Sequence, residues 1–100
     1  MACQAVAQSA NFYKTTRFYK QSMQNKTLEE IKQDLALNLR SLRLAKGLAQ
    51  ERLALDAGVD RTVVSKIERA ITNPSLEILL RLANHLDTSL SRLLEPTSQQ

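Results

Sequence analysis

The chain is poor in the residues that most enzymes, secreted scaffolds and membrane proteins depend on. The one cysteine, Cys3, cannot close an internal disulfide, and with the one histidine, His85, it falls short of a four-ligand zinc site. A reduced, metal-free compartment is the expectation. One histidine also leaves no Cys–His or Ser–His–Asp set, and no glycine-rich phosphate loop is present, so neither catalysis nor a cofactor is expected. No stretch approaches the roughly 18 apolar residues of a membrane span. The opening Met-Ala-Cys-Gln-Ala-Val-Ala-Gln-Ser-Ala has no basic start and is broken by Gln4 and Gln8, so it does not read as a signal peptide. Two glycines and two prolines leave little material for hairpins. With four aromatics, no Trp, and apolar positions held mainly by Leu and Ala, the composition favours helix over strand.

At 100 residues there is room for one ordinary domain. The net charge of +4 is unevenly placed: Lys14, Arg17, Lys20 and Lys26 face no acid in residues 1–26, whereas residues 27–100 hold ten bases and ten acids. If the folded part binds a polyanion, a locally basic face must do it. Three segments follow: a basic extension over 1–26, a folded domain over 27–96 and a tail over 97–100. Phe12-Tyr13-Lys14 and Phe18-Tyr19-Lys20 repeat at a spacing of six. That spacing does not keep both pairs on one helical face, so a flexible tail leads over a DNA-touching arm, a stacking platform or a partner-binding helix.

After Asn25 the sequence turns helical. Thr27 with Glu30 forms a capping box, leaving Glu29 and Glu30 as cap residues rather than an acid–base pair. The first helix should run over about 28–46, bury Ile31, Leu35, Leu39 and Leu42, and stop at Gly47. The second should cover about 50–57, burying Leu53, Ala54 and Ala57, with Gly58 turning the chain. Asp60 should cap a third helix to about Arg69, with Val64 and Ile67 inward. Asn73-Pro74-Ser75 breaks the chain and caps a fourth, whose apolar face is expected to be Leu76, Leu79, Leu80, Ala83 and Leu86. Asp87-Thr88-Ser89 precedes a short fifth helix to Leu94, which Pro96 ends, with a frayed tail beyond. Short connections make this an all-α, compact five-helix domain rather than a coiled coil.

The informative stretch runs from Gln50 to Arg69: two short helices joined by a tight glycine turn. A second helix can cross a first only where the first offers a small residue, and Ala54 supplies it. With Val64 and Ile67 inward, the third helix leaves Arg61, Thr62, Ser65, Lys66 and Arg69 outside. Such residues usually form a solvated helix face. Beside a glycine turn, they form the hydrogen-bonding, cationic surface that a DNA major groove requires.

In Leu39-Arg-Ser-Leu-Arg43, Gly47-Leu-Ala-Gln-Glu-Arg-Leu-Ala54, Ser65-Lys-Ile-Glu-Arg69 and Asn73-Pro-Ser-Leu76 the chain resembles the phage-repressor-like, Cro-type helix-turn-helix family. About residues 35–95 carry the resemblance. The segment from Asp60 to Arg69, followed closely by Asn73-Pro-Ser, is also similar to controller proteins of restriction-modification operons. This resemblance implies a lambda-repressor-like domain that binds double-stranded DNA as a homodimer and regulates transcription, placing two third helices about 34 Å apart on a pseudo-palindromic operator. It implies base contacts from Asp60, Arg61, Thr62 and Lys66, to which the outward Ser65 is added, and phosphate contacts from Gln50, Arg69 and Asn73. Arg43 is expected to meet phosphate or to pair with Glu68 behind the recognition helix.

The implied dimer interface falls on the last helix, at Leu90, Arg92 and Leu94. His85 reads as an ordinary surface residue and receives no role. The implied location is the cytoplasm, on the nucleoid, with polymerase as a possible further partner. The alternative reading is an antitoxin that binds a toxin and its own promoter. Three positions depart from the family pattern: Ala49 replaces a Ser or Thr cap, Val63 an aromatic, and Ala70 a glycine.

Overall fold

The structure, a computed structural model, describes residues 26–97. These residues form five helices and no strand: α1 (Leu28–Ala45), α2 (Gln50–Ala57), α3 (Arg61–Glu68), α4 (Leu76–His85) and α5 (Leu90–Leu93). The all-α, five-helix expectation is borne out. None of these helices is long and apolar enough to cross a membrane. The basic extension with its two aromatic pairs lies outside the described residues.

Four of the five helices start where a local polar side chain takes one of the first free amides. Thr27 accepts from the amide of Glu30 while Glu30 accepts from that of Thr27, which completes the capping box. Asp60, Ser75 and Ser89 cap α3, α4 and α5 through their side chains, whereas Ala49, at the start of α2, makes no such bond.

The ends repeat one device. A left-handed residue is followed by an amide that returns to a carbonyl five residues back: Leu48 to Arg43, Val59 to Ala54, Ile71 to Lys66 and Thr88 to Ala83, all at 2.9–3.1 Å. Glycine supplies the left-handed residue at Gly47 (φ 70°) and Gly58 (φ 73°), but Ala70 (φ 61°) and Asp87 (φ 55°) supply the other two. Asp tolerates this region better than most residues; Ala pays for its Cβ.

α2 packs on α3 and α4, α1 on α3 and α5, and α4 on α5. Their shared core holds Leu35 and Leu39 of α1, Leu53, Ala54 and Ala57 of α2, Val64 and Ile67 of α3, Leu79, Leu82, Ala83 and Leu86 of α4, and Leu93 of α5. Burying one such Leu contributes about 2 kcal/mol.

Two faces differ from the sequence reading. On α4 the buried stripe is Leu79, Leu82, Ala83 and Leu86, the i, i+3, i+4, i+7 set, while Leu76 and Leu80 are 69% and 49% exposed. A run of leucines reads the same whichever flank faces in, and contact with α2 and α5 selects the Leu82 flank. On α1, Ile31 is exposed because the neighbouring helices pack from Leu35 onward.

The same helix buries two polar residues the sequence did not flag. Asn38 donates from Nδ2 to the carbonyls of Leu93 and Glu95, both at 2.9 Å, and so satisfies the open end of α5. Asp34 Oδ1 accepts from the amide and hydroxyl of Thr97 at 3.2 and 2.9 Å, and its Oδ2 lies 2.8 Å from Lys26 Nζ. The tail was expected to fray, but at Thr97 it is pinned. Burial pushes the Asp34 carboxyl up, yet the Lys26 ammonium and the Thr97 donors outweigh that and hold it below its ordinary value.

Two outcomes are expected. Replacing Ala70 by Gly relieves a left-handed Cβ and should raise stability by about 1 kcal/mol in urea unfolding, once glycine's own entropy cost is subtracted. A depressed folded-state pKa at Asp34 adds stability that is present at neutral pH and is lost as acid passes below about pH 4. Asp34→Asn should therefore lower stability at neutral pH and flatten the acid side of the profile, and an unchanged acid limb would show that the clamp contributes nothing.

Candidate nucleic-acid interface

The pose of α3 is set from behind. Arg43, on the last turn of α1, donates from Nε and Nη2 to the two carboxylate oxygens of Glu68 at 2.7 and 2.9 Å, a fork-to-fork pair, and from Nη1 to the carbonyl of Leu48 at 2.7 Å. The two side chains are 9% and 2% exposed. Gln50, at the start of α2, donates from Nε2 to the same carboxylate at 3.0 Å. Glu68 thus ties α3 to both preceding helices, and its hydrogen bonds raise the pKa of Arg43 further. All three guanidinium nitrogens of Arg43 are engaged inside the domain. Arg43 is therefore a buttress here, and no phosphate contact is proposed for it.

The front of α3 is the reverse. Arg61, Thr62, Lys66 and Arg69 are exposed and Ser65 half-buried, while Val64 and Ile67 sit in the core. Asp60 Oδ1 accepts from the amide of Thr62 at 3.0 Å and from its hydroxyl at 2.9 Å. The Thr62 amide and then its hydroxyl, with smaller help from Arg61 and Lys66, hold the Asp60 carboxyl below its usual range. With its hydroxyl hydrogen donated in the bond to Asp60, Thr62, which is exposed, keeps acceptor lone pairs and a methyl for a partner. Asp60 remains exposed, but Oδ1 is committed to the cap.

An open cleft between α2 and α3 is lined by Arg43, Ala49, Gln50, Glu51, Arg61, Thr62 and Ser65. Arg61 and Glu51 form an exposed ion pair across its mouth. The sequence reading gave Glu51 no role and so missed this pair. Ten residues separate the pair, and no helical period links two helices that cross.

This arrangement, a short helix crossing a second over Ala54, a left-handed glycine, and a third helix with a cationic front and an apolar back, finds its counterpart in known sequences. The helix-turn-helix family profile matches residues 39–93. The chain belongs to the helix-turn-helix family. Control protein C.SmaI of Serratia marcescens is 43% identical over 65 residues, which cover 65% of this chain and 77% of that protein. Among solved structures, the restriction-modification controller protein C.AhdI from Aeromonas hydrophila superposes with a TM-score of 0.60 at 44% identity, covering 62% of this chain and 94% of that one. The biofilm master regulator SinR of Bacillus subtilis, solved in complex with DNA, superposes with a TM-score of 0.59 at 35% identity, covering 61% and 98%.

Within this helix-turn-helix, Asn73 is exposed in the loop after α3, four residues from Arg69. Val63, in place of an aromatic, packs partly against the core. The dimer candidates stand apart from the cleft, on and just after α5. Leu90 and Leu94 are half-buried against the core, and Arg92 lies 3.5 Å from Glu95. His85 is exposed.

Removing one partner of the Arg43–Glu68 pair leaves a charge without its counterion in a buried site. Glu68→Ala should cost about 3 kcal/mol in chemical denaturation, and the Arg43→Met, Glu68→Leu double variant should recover most of it. Equal losses from the single and the double change would show that packing, not charge pairing, holds α3.

Proposed function

We propose that the protein is a sequence-specific, double-stranded-DNA-binding transcription regulator that acts as a homodimer. The observation that carries this reading is the split of α3: Val64 and Ile67 are buried in the core, while Arg61, Thr62, Lys66 and Arg69 stand in solvent and Ser65 at its edge. α3 would enter the major groove with its N-terminal half towards the base edges. There Arg61 can bond the two acceptors of a guanine, Thr62 can offer an acceptor and a methyl, and Ser65 and Lys66 follow along the groove. Gln50, Arg69 and Asn73 are assigned to phosphates, which fix register without reading sequence. The names of the relatives, a control protein, a restriction-modification controller protein and a regulator solved in complex with DNA, support this class of partner.

For the dimer we retain α5, with Leu90, Arg92 and Leu94. Leu76 and Leu80 of α4, one turn apart and exposed, offer further apolar surface. Two copies would then address half-sites about 34 Å apart. The work of such a protein lies in the cytoplasm, on the nucleoid. Covering a promoter would repress it and touching polymerase would activate it, and the same docking serves both.

Selection of duplexes from a random pool should return an inverted repeat. On that duplex, Arg61→Ala should cost about 1–3 kcal/mol and relax the preference at one base pair. Arg69→Ala should weaken binding to all sequences alike and make it less sensitive to salt. Equal, sequence-independent losses from both changes would overturn the division into base and phosphate contacts.

A further inference from the structure

The acid at the mouth of the cleft has no part in the assignments above. We propose that Glu51 is a specificity-determining residue: its carboxylate holds the guanidinium of Arg61 in a pose suited to one guanine and penalises duplexes that offer Arg61 no partner. The proposal rests on the DNA-binding reading and deepens it.

The pair uses Nη1 of Arg61, and both side chains remain about two-thirds exposed, at 64% and 67%. Arg61 makes no other hydrogen bond among the described residues. A guanidinium carries five donors in a fixed plane, so with Nη1 on Glu51 the Nε–Nη2 edge is still open to the O6 and N7 acceptors of a guanine. Glu51 and the base can thus hold one arginine from two sides. A long side chain already restrained loses less rotamer freedom on binding.

The same carboxylate is a liability near phosphates. Of the other acids close to this face, Glu68 is buried under Arg43 and Gln50, and Asp60, though exposed and ionised, is held in place by the cap of α3. Glu51 is neutralised only through Arg61. Where Arg61 meets its guanine, the carboxylate serves as its support. On a wrong base pair, Arg61 must choose between the carboxylate and a phosphate, and the acid is left facing a polyanion. A repulsive element of this kind sharpens discrimination while lowering affinity for every duplex. Exposed ion pairs contribute little to folding, so a change at Glu51 leaves the fold in place.

The test uses the full chain and measures fluorescence anisotropy at one salt concentration. The probes are the duplex that the wild-type chain selects from a random pool, its single-base-pair variants, and an unrelated duplex of equal length. Glu51→Gln should melt like the wild type and bind the unrelated duplex several-fold more tightly. At the base pair that Arg61→Ala no longer distinguishes, it should lose at least about fivefold in discrimination. In an Arg61→Ala background, Glu51→Gln should change discrimination at no position. Unaltered discrimination in Glu51→Gln overturns the proposal, as does a loss of discrimination at any base pair when Glu51→Gln is added to Arg61→Ala, which would make Glu51 a reader in its own right. A wild-type chain that ignores every duplex overturns the functional reading itself.

Discussion

A helix reads a duplex well only if its pose is set before the duplex arrives, and in this chain the pose of α3 depends on the carboxylate of Glu68. It accepts from Arg43 of α1 at two points and from Gln50 of α2 at a third. α3 has eight residues, and its two fully buried side chains, Val64 and Ile67, lie three apart. So narrow an apolar seam resists translation better than rotation about the helix axis. The polar anchor at the C-terminal end of α3 supplies that resistance, because a bidentate pair tolerates little change in angle. Gln50 joins the back of α3 to the cleft in front: its amide meets Glu68, and it lines the cleft together with Arg61.

The corners are built as economically as the anchor. Four helices end in the same closure, and two of those closures use a residue with a Cβ at positive φ. Asp87 meets Lys46 across the fold, so the corner after α4 is fastened to the end of α1. Ala70 makes no comparable side-chain bond and is held by the amide of Ile71 returning to Lys66. The strained corner therefore stands directly after Arg69 and before Asn73, the two residues assigned to phosphates beyond the recognition helix.

Helix placement was legible from sequence because caps and glycine corners are local. Thr27 with Glu30, Asp60 before Thr62 and Ser75 before Ile78 act within three residues, a distance at which a sequence can be read directly. The motif from Gln50 to Arg69 was legible for the same reason. What escaped was long-range or directional. Asn38 meets partners 55 and 57 residues away, and Asp34 one 63 residues away. Asp34 and Asn38 lie one turn apart on a helix that also buries Leu35 and Leu39, and nothing in a one-dimensional pattern separates a buried polar pair from a solvated one. Leu80 against Leu82 was a choice of flank that only the packing of α2 and α5 decides. The Arg61–Glu51 pair crosses between two helices whose angle the sequence does not contain.

Charge sorting links these details to the proposed partner. Residues 27–100 carry as many acids as bases, so the folded part has no overall attraction for a polyanion. Attraction must come from where the charges are spent. Glu68 is neutralised under Arg43, Asp60 is drawn to the amide of the first turn of α3, and Glu51 is paired with Arg61. Lys66 and Arg69, by contrast, enter no ion pair among the described residues and remain in solvent. A neutral domain thereby presents a locally positive front, and most of its attraction acts within roughly a Debye length of about 8 Å. Such a front would draw phosphates weakly at a distance and leave the choice of sequence to contacts at the base edges, which is the balance a regulator needs against an excess of non-specific DNA.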